Sequence, residues 1–113
     1  MGGSSLTDQR CVPCEGDAQP MKPEEYTPHL QNVPGWNVQE EKKIEKGFKF
    51  KDFKEALSFV DKVGALAELE GHHPDVFLHG WNKVLITLST HAIKGLSLND
   101  FIMAAKINQL GAA

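Results

Sequence analysis

Residues 52–74 read DFKEALSFVDKVGALAELEGHHP, and the fold turns on them. Asp52 with Glu55 three residues on makes a capping-box start. Ala56, Leu57, Val60, Val63, Gly64 and Ala67 then recur at helical spacing, and Gly71 offers a stop. The stretch predicts a helix over about 52–70. Beyond it, Pro74 biases His73 toward extended angles, so His72 and His73 should project in different directions where the helix gives way to a strand.

Outward from this helix the apolar pattern changes to a period of two on both sides. Upstream, Trp36 and Val38 point one way, and after a turn near residues 40–42, Ile44, Lys46, Phe48 and Phe50 share a face opposite Glu45, Gly47 and Lys49. Downstream, Val76–Leu78 and Val84–Thr90 read as strands joined through Gly80-Trp81-Asn82, with Val84, Ile86 and Leu88 suited to a core. Ser97 to Asp100 caps a last helix carrying Leu98, Ile102, Ala105 and Leu110. Near the start, Pro23-Glu24-Glu25 offers a short helix that Pro28 should interrupt and Pro34-Gly35 should end. The element order, α-β-β-α-β-β-α, predicts an α+β fold: a four-stranded antiparallel sheet with helices packed on one face.

A chain of 113 residues has room for one such domain. Its 41% hydrophobic and 24% charged residues mark a folded chain and exclude a disordered one. Residues 1–22, rich in Gly, Ser and Pro, read as a flexible leader, and residues 23–113 as the folded domain. A net charge of −3, with lysines interleaved among glutamates, argues against nucleic acid as a partner. No apolar run could span a membrane and residues 1–19 hold no hydrophobic signal core, so a cytoplasmic location is expected. Cys11 and Cys14 form Cys-Val-Pro-Cys in the leader. Without a second ligand pair at zinc spacing or a preceding strand, they read as surface thiols.

Five histidines occur, and His72, His73 and His91 fall at element junctions, where side chains can face a cleft. Pairing of the second hairpin would bring His91, at the end of its strand, toward the other two. Imidazoles titrating near pH 6.5 can both donate and accept protons at neutral pH. One histidine at such a junction is ordinarily a surface or capping residue; three bring the catalytic and structural readings to parity. Asp100 has a ready structural role as a helix cap. Glu68 sits unfavourably for the helix dipole near the end of its helix, which hints at another use. Zinc would need convergent nitrogens from His72 and His73, which an extended adjacent pair rarely supplies, so no metal site is expected.

Glu68-Leu69-Glu70-Gly71-His72-His73-Pro74, Asn82-Lys83-Val84, Thr87-Leu88-Ser89-Thr90-His91 and Gly95-Leu96-Ser97 with Asp100 together resemble the pterin-4a-carbinolamine dehydratase family. The resemblance runs from about Pro23 to Leu110 and includes Gly35-Trp36 and Phe50-Lys51-Asp52-Phe53. It implies dehydration of 4a-hydroxytetrahydrobiopterin to quinonoid dihydrobiopterin without metal or bound cofactor, recycling the pterin used by an aromatic amino-acid hydroxylase. It also implies a homodimer or homotetramer. Carried over by residue, His72 and His91 would be acid/base groups and His73 would mainly hold the pterin. Glu68 and Asp100 would orient histidines or bind substrate. The stretch from Val76 to Trp81 is one residue longer than in the animal enzymes, which leaves His79 and Trp81 outside the site. A non-catalytic pterin- or protein-binding module of the same fold is the alternative.

Overall fold

The computed structural model describes residues 6–12 and 19–111. Cys14 lies outside the described residues. Three α-helices, α1 (Pro23–Leu30), α2 (Phe53–Glu70) and α3 (Leu98–Gly111), accompany four strands, β1 (Asn37–Gln39), β2 (Lys43–Lys49), β3 (Asp75–His79) and β4 (Lys83–Leu88). The strands form one antiparallel sheet in the order β1-β2-β4-β3, which is the α+β architecture expected.

Helix α2 has the ends its sequence announces. The Asp52 side chain accepts the backbone N–H of Glu55 at 2.8 Å, and Gly71 closes the helix in the left-handed region at φ 67°. A side chain at Gly71 would be strained there, so the turn into His72 depends on this glycine. Ala56, Phe59, Val63 and Ala67 form the buried stripe of α2. Phe59 packs its ring 4.7 Å from Phe48 and 4.9 Å from Phe50, tying helix to sheet. Burying one such ring contributes about 1.5–3 kcal/mol, and each aromatic pair about 0.5–1.5 more.

In β4 the alternation is clean: Val84, Ile86 and Leu88 are wholly buried beneath the helices, while Leu85 and Thr87 are partly covered. The middle of helix α3 shows no polar face, since Phe101 to Ala105 are all buried. A helical stretch that is apolar all round must be covered on several sides. Sheet and α2 cover part of it, α1 sets His29 against Phe101 at 5.5 Å, and the N-terminal segment covers more.

Three local expectations give way to the structure. Helix α1 runs through Pro28 to Leu30. The carbonyl of Glu24, which Pro28 cannot bond, belongs to an exposed residue where water can replace the lost donor, and buried Tyr26 anchors the helix. Strand β4 stops at Leu88, and His91 opens a one-turn 3₁₀ helix, His91–Ile93, instead of ending the strand. Thr90 bridges Gly95, with Thr90 N–H to Gly95 O at 2.8 Å, and that local pairing draws the chain off the sheet. Residues 6–12 do not extend from the fold: Leu6 is buried, Cys11 packs against the core, and a 3₁₀ turn, Leu6–Asp8, lies on α3.

Candidate active site

The register Asp75↔Thr87 sets the start of β3 beside the end of β4. Residues 71–73, arriving from α2, therefore meet residues 89–92 leaving β4, and the first turn of α3 lies below both. The space between is a cleft of about 250 Å³ lined by His72, His73 and His91 together with Ser89, Thr90 and Asn99. Gly71, Ala92 and Val12 complete its wall. That volume is just below the range of drug-sized pockets and suits a small ring system.

His72 and His73 diverge, as an extended pair should. The His72 side chain is 12% exposed, and its Nε2 lies 2.7 Å from Asp100 Oδ1. His73 turns outward, its Nε2 2.6 Å from Glu68 Oε2, with both partners well exposed. His91 is exposed at the start of its 3₁₀ turn and stands between this cleft and a second one of about 360 Å³ that also touches Lys42, Lys43 and Lys94.

Asp100 is wholly buried and fully engaged. Its Oδ2 accepts the Thr90 hydroxyl at 2.8 Å and the Ser97 backbone N–H at 3.0 Å, while Oδ1 faces His72. Because Thr90 gives its proton to Asp100, the Ser97 hydroxyl, 2.7 Å away, donates to Thr90. A carboxylate surrounded in this way acts only as acceptor. The network thus assigns a proton to Nε2 of His72, so that in the neutral ring Nδ1 carries the lone pair. The capping role expected of Asp100 and the histidine contact are one arrangement.

Sequence reasoning missed a second buried carboxylate. Glu70 accepts Lys106 Nζ at 2.7 Å and the Cys11 backbone N–H at 2.9 Å, with Arg10 Nε within 3.3 Å. Burial pushes the Glu70 carboxyl up, but those hydrogen bonds and the Lys106 charge outweigh it and hold it at about 2. Cys11 is half-buried instead of a surface thiol. Burial, with the Glu70 charge second, pushes it up to about 12. Asn99, also missed, is buried and holds Val12. The available signal was the uninterrupted apolar run in α3, which demanded a cover. His79 and Trp81 lie at the opposite end of the β3–β4 hairpin, where His79 stacks on Phe77 at 4.7 Å. Among the described residues no group of three or more His, Cys, Asp or Glu is placed to hold a metal ion, and no helix is long and apolar enough to cross a membrane.

An open antiparallel sheet with helices packed on it carries two imidazole–carboxylate pairs where strand ends meet helix ends, groups whose chemistry is proton exchange. The chain belongs to the pterin 4 alpha carbinolamine dehydratase family, whose description it matches over residues 19–110. A Rubrobacter xylanophilus protein carrying the provisional name pterin-4-alpha-carbinolamine dehydratase is 45% identical over 107 residues, 95% of this chain and 99% of that one. The crystal structure of a transcriptional coactivator/pterin dehydratase from Brucella melitensis superposes with a TM-score of 0.77 at 34% identity, covering 83% of this chain and all of the other. A pterin dehydratase-like protein identified as a RuBisCO assembly factor in the alpha-carboxysome matches with a TM-score of 0.59 at 25% identity, over 70% of this chain and 92% of its own.

Proposed function

We propose that this chain removes water from 4a-hydroxytetrahydrobiopterin to give quinonoid dihydrobiopterin, by histidine acid/base catalysis in the cytoplasm, in recycling the pterin used by an aromatic amino-acid hydroxylase. The observation that carries this reading is the convergence of His72, His73 and His91 on one cleft, with His72 backed by buried Asp100. In the reaction an acid protonates the 4a hydroxyl and the C4a–O bond breaks. A base takes the proton from N5, the C4a=N5 double bond forms, and water leaves. His72 and His91 are the acid/base pair, because a neutral imidazole with one free nitrogen supplies the base and a protonated one the acid. His73 holds the ring, steadied by Glu68; Asp100 sets the tautomer of His72. The test follows quinonoid dihydropterin formation from chemically generated 4a-hydroxypterin, and no acceleration over the spontaneous reaction would sink the reading. His91→Ala should reduce turnover more than binding and His73→Ala the reverse; the opposite ranking refutes this division of roles.

The proposal includes a homodimer or homotetramer. Its support is the apolar surface left on α2 by Phe53, Leu57 and Leu69 and on edge strand β3 by Val76 and Phe77, all at least 40% exposed. Light scattering on the purified chain checks it. The rival reading, a non-catalytic binding module, is favoured by one observation, the likeness to the RuBisCO assembly factor. It predicts a protein that binds a dihydropterin or a protein partner yet leaves the dehydration rate unchanged.

A further inference from the structure

The Cys-Val-Pro-Cys stretch lies before residues 19–110, the part of the chain that matches the family description. The structure nevertheless brings residues 10–12 to the catalytic cleft. Two buried side chains hold them. Glu70, two residues before His72, takes the Cys11 N–H and the Arg10 guanidinium. Asn99, one residue before Asp100, clamps Val12 through its own backbone N–H and carbonyl: Val12 N–H donates to Asn99 Oδ1 at 3.0 Å, and Asn99 Nδ2–H donates to Val12 O at 2.5 Å. The Cys11 thiol adds a bond to Asn99 O at 3.6 Å. The segment is thus pinned by two side chains that neighbour His72 and Asp100 in sequence.

Held this way, Val12 lines the cleft while its surface stays 64% exposed. An aliphatic side chain anchored by its backbone and left open to water is placed to be covered by something else. The rest of the lining is mostly imidazole, hydroxyl and amide, so Val12 supplies the main aliphatic surface against which a flat ring can pack. We propose that Val12 is a substrate-contacting residue of the dehydratase, packing against the bicyclic ring of the pterin, and that Asn99 is a positioning residue acting through the Val12 backbone. This rests on the reading of the cleft as a pterin site.

The test uses the full chain, titrated with 7,8-dihydrobiopterin by fluorescence and assayed in parallel for dehydration. Val12→Ala removes two carbons from an exposed side chain and should fold normally. It should raise both Kd and KM by about three- to tenfold with kcat within about twofold, and Val12→Ile should restore binding. Asn99→Ala should raise KM likewise, and in a Val12→Ala background it should add little, since both changes remove one contact. A merely structural Asn99 would lower the melting temperature and leave KM alone. A Val12→Ala protein that binds dihydrobiopterin like the wild type overturns the wall and leaves the dehydratase reading standing. A wild-type chain that fails to bind it overturns both.

Discussion

Replacing Asp100 by asparagine keeps its volume and two of its three hydrogen bonds, which makes the consequence specific. The amide oxygen can still accept from Ser97 N–H and Thr90 Oγ1, now 3.0 and 2.8 Å from Oδ2. The amide nitrogen then occupies the place of Oδ1, 2.7 Å from His72 Nε2, and two N–H donors would face each other. The ring escapes by moving its proton to Nδ1, which removes the lone pair that the proposed base step requires. A positioned acid/base group is worth about 10²–10⁴ in rate, so kcat should fall by about that factor, or roughly 3–5 kcal/mol of transition-state stabilisation. The fold should lose less. Trading one charge-assisted bond for a neutral one costs about 1–2 kcal/mol, and at about 4–8 °C per kcal/mol for a domain near this size the melting temperature should drop by about 5–15 °C. Steady-state dehydration kinetics and calorimetry on the same preparation separate the two effects. If the melting temperature falls while kcat holds, Asp100 is a helix cap and nothing more, and the tautomer argument fails.

Three further outcomes follow from the same contacts. Glu68→Gln should change kcat/KM by no more than about twofold and stability by under about 1 kcal/mol, because the pair with His73 is exposed on both sides; steady-state kinetics and a thermal melt check it. Glu70, held at about 2 against an ordinary 4.5, stabilises the fold fully above about pH 4.5 and loses that contribution as pH falls through about 2. Glu70→Gln should therefore be less stable than wild type at pH 7, with the gap closing toward pH 2 in denaturant melts; a gap that widens would refute the sign. Cys11, pushed up to about 12 by burial, carries almost no thiolate at pH 8. Peptide mass spectrometry should find it alkylated by iodoacetamide at least about tenfold more slowly in the native chain than in denaturant, and equal rates would mean that residues 10–12 do not dock.

What could be read in advance divides by the range over which each signal acts. Helix α2 was legible because its period, its Asp52 cap and its Gly71 stop all lie within one stretch, and both hairpins were legible because alternation is a local pattern. From the hairpin register the meeting of His72 and His73 with His91 followed, even though His91 sits on a 3₁₀ turn that the Thr90–Gly95 bridge imposes. The docking of residues 10–12 was not legible, for the converse reason. Its partners, Glu70 and Asn99, lie 59 and 87 residues along the chain, and Gly, Ser and Pro composition says nothing of them. One clue was present: Phe101 to Ala105 give α3 no polar side to show to water. Three layers of sheet, helix and leader meet on that helix, so its first turn is where the fold and the chemistry become one problem. There Asn99 grips the leader and Asp100 grips His72, and a change that loosens either side chain should be felt in the cleft before it is felt in the core.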